Sequence, residues 1–118
     1  MLIEIDGLDI KKGISHSGGT INLYLEALST FFEDANDRTK KVEKCVENED
    51  FIHYTTYVHA LKSASANIGA SELSHIANAL ELAGNEGDWS YVRTNNEKFL
   101  YDLQYLLKSI KEALSDLM

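Results

Sequence analysis

The chain has no proline. Nothing therefore kinks or interrupts a long helix, and the turns must be built from Gly, Asn, Asp and Ser. Its one cysteine, Cys45, excludes an internal disulfide and fits a reducing compartment, so a cytoplasmic setting is expected. No run of 18 or more apolar residues exists, and the opening Met-Leu-Ile-Glu-Ile-Asp lacks a basic stretch before a long apolar one. Neither a transmembrane helix nor a signal peptide is readable, and no membrane partner is expected. Positive charge is scarce. Eleven Lys and Arg stand against nineteen Asp and Glu, a formal net charge of −8, which argues against binding to nucleic-acid phosphates. A Gly-x4-Gly-Lys-Ser/Thr loop and a Gly-rich ATP lid are missing too. Gly18-Gly19-Thr20 reads as a turn and helix cap, not as a phosphate cradle.

What is present is helical periodicity. With 118 residues, 44% hydrophobic and 25% charged, the chain is read as one globular domain spanning 1–118. Turn residues cluster at Ser15 to Thr20, Asn48 to Asp50, Gly69 to Ser71 and Gly84 to Asp88. From Thr20, a suitable N-cap, the positions Ile21, Leu25, Leu28, Phe32, Ala35, Thr39, Val42 and Val46 alternate spacings of 4 and 3. That pattern predicts one buried stripe on a helix of about 28 residues. Phe51, Tyr54, Val58, Leu61, Ser65 and Ile68 form a second stripe, closed by Gly69 as a left-handed C-cap. Ser71 is expected to cap a third helix carrying Leu73, Ile76, Ala77, Leu80 and Ala83 inward. The last helix, from about Ser90, places Val92, Phe99, Leu103, Leu106, Ile110, Leu114 and Leu117 on one side. A short helix over Leu8 to Ile14, after Asp6, is expected across one end. No segment sustains a strand alternation. The fold class is therefore all-α: an antiparallel up-down-up-down four-helix bundle with a short extra N-terminal helix.

Chemistry concentrates on the second stripe's helix. His59, Lys62, Ser63 and Ala66 stand at i, i+3, i+4 and i+7 and share a face, which Thr55 continues one turn earlier. Apart from His59 and Lys62, every residue of that face is small. Ala60 and Ala66 have an ordinary excuse, since alanine is the best helix former. Ser63 has none, because Leu, Glu or Arg would serve a surface helix better. A low surface around an imidazole suits a histidine that something large must reach. An unperturbed imidazole, titrating near ~6.5, is largely neutral at pH 7 and keeps a lone pair that can attack phosphorus. A cation one turn away can screen the anionic product.

The stretch His59-Ala60-Leu61-Lys62-Ser63 through Asn67-Ile68-Gly69-Ala70 resembles the signature of histidine-containing phosphotransfer (HPt) domains, His-x-Leu-Lys-Gly followed by small residues and Gly-Ala. Ile5-Asp6-Gly7-Leu8-Asp9 with Gly13, then Tyr24-Leu25 and Phe31-Phe32, is similar to the family's first two helices. Leu73 through Leu80-Glu81, with Gly87-Asp88, resembles the segment after the active helix. The resemblance implies a phosphorelay intermediate that accepts a phosphoryl group on His59 from a receiver-domain aspartate and passes it to another receiver. It implies that Lys62 stabilises the phosphoryl group and that the small residues Ser63, Ala66 and Gly69 make room for a receiver domain; Thr55, which continues the same face, is expected to dock with them. Partners are then response-regulator receivers, and a hybrid sensor histidine kinase among the sources. The domain is expected to be a monomeric carrier without ATP-dependent kinase activity. No cofactor is expected, because the metal of that exchange belongs to the receiver. One departure stands out: Ser63 occupies the position where the family most often has Gly.

Two other classes compete. Glu72-x-x-His75 and Asp50-x-x-His53 have the i, i+3 spacing of carboxylate-bridged metal bundles. The first long helix, however, offers no inward Glu among Ile21, Leu25, Leu28 and Phe32, so His53 and His75 are expected at the surface and no metal site is assigned. A dimeric kinase core would usually carry Pro after its histidine, which is missing here, and the chain has no room for an ATPase domain. A non-catalytic helical interaction module is the remaining alternative. Trp89 is expected to anchor the last helix on the core, Tyr101 and Tyr105 to pack beside it, Cys45 to be partly buried, and His16 to lie in a turn.

Overall fold

The computed structural model describes residues 3–117; Met1, Leu2 and Met118, the ends of the domain read over 1–118, lie outside the described residues. Five helices follow in order: α1 Ile10–His16, α2 Ile21–Glu47, α3 Phe51–Asn67, α4 Ser71–Glu86 and α5 Trp89–Leu117. There is no strand among the described residues. Each long helix packs against the two beside it in the cycle α2–α3–α4–α5, and the diagonal backbones do not touch. That is the antiparallel four-helix bundle expected, about 45 × 22 × 19 Å. No helix among the described residues is long and apolar enough to cross a membrane.

Side-chain caps start the helices as their sequences require. Thr20 Oγ1 accepts from Leu23 N at 3.2 Å, Asp50 Oδ1 from His53 N at 3.3 Å, and Asp88 Oδ1 from Tyr91 N at 3.1 Å. Two helix starts differ from expectation. Asp9 caps α1, so that helix runs from Ile10 to His16, two residues further along than the expected Leu8 to Ile14. Ala70, with no side-chain bond, stands at the N-cap of α4, and Ser71 is already its first helical residue. The reason lies in the preceding turn. Gly69 N donates to Ala66 O and Ala70 N to Ser65 O, a Schellman closure that turns the chain with no residue to spare. Gly69 supplies its left-handed residue at φ +89°.

The core is continuous across all four long helices and includes Leu28, Val42, Tyr54, Val58, Leu61, Leu80, Phe99, Leu103 and Ile110. The stripe expected on α2 is rotated. Tyr24, Phe31 and Cys45 are buried with Leu28, Ala35, Thr39 and Val42, while Leu25, Phe32 and Val46 are half-buried and Ile21 is exposed. Tyr24 turns inward because its hydroxyl reaches Ile68 O at 2.8 Å; burial, with the Asp9 charge, pushes its pKa up to about 12. A second buried bond, Tyr54 Oη to Asn96 Oδ1 at 2.8 Å, ties α3 to α5. Trp89 stacks on Phe51 and meets Tyr54 edge-on, as its anchoring role requires. Tyr101 and Tyr105 do not pack as expected and are exposed. The segment Gly84 to Glu86 is helical, so only Gly87 and Asp88 make the last turn.

The α3–α4 turn is the least forgiving point of this fold. A Cβ on Gly69 would collide with the backbone oxygen of Asp9, whereas one on Gly87, also at positive φ, would meet open space. Gly69→Ala is expected to cost about 2–4 kcal/mol in chemical denaturation, left-handed strain plus overpacking. Gly87→Ala is expected to cost about 1 kcal/mol. Equal losses at the two positions would contradict this account.

Candidate functional site

His59 lies midway along α3, next to Val58 and two residues before Leu61, both fully buried on the helix's other side. Its own side chain is 57% exposed. The core therefore holds the helix still while the imidazole stands clear of it. Lys62, one turn on, is more covered, and Ser63 and Ala66 are exposed on the same side. The antiparallel α4 runs alongside, held by Ser74 Oγ donating to Lys62 O at 3.0 Å. Close approach continues at Gly84, where a Cβ would come within 3.2 Å of Thr55 Cγ2.

That packing brings Glu81 of α4 under both His59 and Lys62. Its Oε2 lies 2.7 Å from His59 Nδ1 and its Oε1 lies 2.7 Å from Lys62 Nζ. Lys62 Nζ also reaches Asn78 Oδ1 at 3.5 Å. Burial pushes the Glu81 carboxyl up, but contacts with Lys62 and His59 more than offset it and hold the group below its ordinary range. A lowered value means that the pairing stabilises the fold at pH values above the ordinary carboxylate range. That contribution fades as pH falls through the depressed value.

The protonation of the ring follows. Glu81 is ionised at neutral pH and can only accept hydrogen bonds. In the neutral imidazole, Nδ1 must then carry the proton and donate it to Oε2, which leaves the lone pair on Nε2. The hydrogen bond thus selects one tautomer and one ring orientation, as a carboxylate does for the imidazole of a hydrolase triad. The arrangement is a nucleophilic nitrogen on an exposed face, with an anion behind it and a cation beside it.

The remaining expected positions divide. Thr55 is half-buried against α4, and its hydroxyl donates to Phe51 O. Ala66 keeps its exposure while its carbonyl meets His16 Nδ1 at 3.1 Å, so His16 is tied to the end of α3. Gly69 is not on this surface; it is buried beneath Asp9 and acts in the turn. His53 pairs with its own helix cap, Asp50 Oδ2, at 2.8 Å, and Glu72 and His75 are exposed. Among the described residues no three His, Cys, Asp or Glu side chains gather as metal ligands. Cys45 is buried, and burial with the Asp50 charge raises its thiol pKa.

Glu81 and Asn78 were not singled out from the sequence, although a signal existed. The α3–α4 hairpin folds about Ala70, so positions whose numbers sum to about 140 face each other. His59 then opposes Glu81, and Lys62 opposes Asn78.

The sequence model of the Hpt domain family matches residues 26–117 of this chain. No match is found among curated proteins or among solved structures. The family is one of phosphotransfer carriers in two-component signalling, and its members interact with receiver domains and kinases in phosphorelays. Four packed helices and a match over most of the chain agree: this protein belongs to the Hpt domain family.

Proposed function

We propose that this chain is a phosphorelay intermediate whose phosphoacceptor is Nε2 of His59. A receiver domain carrying an aspartyl phosphate docks on the α3 face. The Nε2 lone pair attacks phosphorus, an N–P bond forms, and the P–O bond to the aspartate breaks with its electron pair leaving on that carboxylate. The ring keeps its Nδ1 proton and becomes cationic. Transfer onward reverses these steps on a second receiver's aspartate. The chain acts as a carrier rather than an ATP-dependent kinase, in the cytoplasm, as a monomer.

The observation that carries this reading is the 2.7 Å contact between His59 Nδ1 and Glu81 Oε2. It points Nε2 in one direction with its lone pair free, and it sets an anion against the positive charge that the ring acquires. Both effects favour the transition state over the resting state. Lys62 lies close enough to serve the phosphoryl oxygens once they arrive, and Ser63 and Ala66 leave the approach low. Thr55 borders it from the α4 side.

The first test is uptake of acid-labile phosphate from receiver domains charged with acetyl phosphate. His59→Gln is expected to abolish it while the helical circular dichroism spectrum stays unchanged; a variant that still takes up phosphate would end the proposal. The second test concerns Glu81. Glu81→Gln replaces the acceptor-only carboxylate with a neutral amide that can donate or accept, so transfer is expected to slow about 10- to 100-fold, the usual scale for losing such an orienting partner. Ring nitrogen shifts in 15N NMR should move from one tautomer towards a mixture. Unchanged rates with an unchanged tautomer would show that Glu81 does not position the ring.

A further inference from the structure

The surface of α3 differs in kind from that of its neighbour. Across its 17 residues α3 carries one Lys, Arg, Asp or Glu, which is Lys62. The 27 residues of α2 carry ten, so a general poverty of charge does not explain the difference. Ile52, seven residues before His59, is 81% exposed, the most exposed large apolar side chain among the described residues. Seven residues are nearly two full turns, so Ile52 and His59 lie on one line along the helix, about 10.5 Å apart. Between them stand Thr55 and Thr56. Their hydroxyls are turned back to the carbonyls of Phe51 and Ile52, the second at 3.2 Å, which reduces their polar offer to a partner.

A single exposed apolar residue is ordinary. One that ends an uncharged strip leading to a reactive group is a different matter. A standard protein interface takes about 800 Å2 from each partner, a disc of about 16 Å radius. An interface of that size centred on His59 also covers Ile52. Interface centres are depleted of charge and owe most of their affinity to a few well-seated side chains.

We propose that Ile52 is the apolar anchor by which the receiver domain is held on α3, seated in an apolar depression of the partner beside its reacting aspartate. The inference rests on the phosphotransfer reading and adds to it a residue that takes no part in the chemistry. A partner so held needs an apolar surface patch about 10 Å from its aspartate, matching the spacing on the helix.

The test compares the full chain with Ile52→Ala and Ile52→Asp. Three readouts are taken: transfer from acetyl-phosphate-charged receiver domains, charging of His59 by phosphoramidate, and mass by light scattering. The small donor needs no docking and reports whether the imidazole is intact. Expected are a rise in KM of at least ~10-fold for Ile52→Asp, a smaller rise for Ile52→Ala, kcat within about 2-fold, and unaltered phosphoramidate charging. Ile52→Leu should restore most of the loss. If the original chain is charged by receivers and Ile52→Asp is charged equally well, the anchor is refuted while the phosphotransfer reading stands. If no receiver charges the original chain, that reading fails and the anchor falls with it. A dimer that Ile52→Asp converts to monomer would assign the strip to a second copy and refute the receiver as its occupant.

Discussion

One carboxylate holds the site together. Glu81 is mostly covered, and burying a charge is unfavourable unless partners compensate for the lost water. Here the partners are the two side chains whose arrangement matters most, and its depressed pKa shows that they more than compensate. The geometry depends on register. A shift of α4 by one residue would swing Glu81 about 100° round its helix and away from both partners. The turn at Gly69 and Ala70 therefore matters to the chemistry although it touches none of it. Asp9 N donates to Gly69 O at 2.9 Å, Tyr24 closes on Ile68 O, and α1 lies close because Gly13 has no side chain to strike Tyr24. The N-terminal helix is in effect a clamp on that turn.

Stability is drawn from elsewhere. The buried Tyr54–Asn96 bond, the Phe51–Trp89 stack and the aliphatic core all lie on the inner sides of the helices. Because α3 is held by Tyr54, Val58, Leu61 and Ser65 from within, the exposed positions of its outer side need not pack. That freedom lets Ile52, Ser63 and Ala66 remain exposed without loss of order in the backbone that carries His59. A rigid element bearing an accessible group is what positioning chemistry requires.

The number of long helices and their order were legible because each stripe repeats over many turns. So was the family, through the run from His59 to Ala70. The error on α2 has a physical source. Ile21, Leu25, Phe32 and Val46 match the helical period as well as Tyr24, Phe31 and Cys45 do, and at a bundle corner either flank can face inward. Long-range contacts such as the bond from Tyr24 to Ile68 settle which flank goes deeper, and no local pattern carries that information. Ser71 misled for a similar reason: capping propensity favoured it, but the Schellman closure had already used the space. Gly69 reads as a small docking residue until the backbone of Asp9 is seen above it. Glu81 stayed hidden among nineteen acids because its role arises from the pairing of two helices, and nothing within its own helix marks it.

The same carboxylate bears on what kind of phosphohistidine this site would hold. A phosphoryl group brings about −1.5 to −2 of charge at neutral pH. Placed on Nε2, it faces a site that already contains the Glu81 anion, with Lys62 as the cation shared between them. In the resting state Lys62 is paired with Glu81 at 2.7 Å; turning to the phosphoryl oxygens weakens that pair and leaves a largely covered carboxylate less well compensated. Holding both anions with one ammonium is therefore less favourable than holding either. Meanwhile the Nδ1 proton, kept in place by Glu81, lets the ring depart as neutral imidazole when the next acceptor arrives. A terminal acceptor would gain from a second cation and a tighter grip. Under the proposed phosphotransfer, loose binding of the phosphoryl group and a ring that leaves as neutral imidazole suit a carrier better than a terminal acceptor.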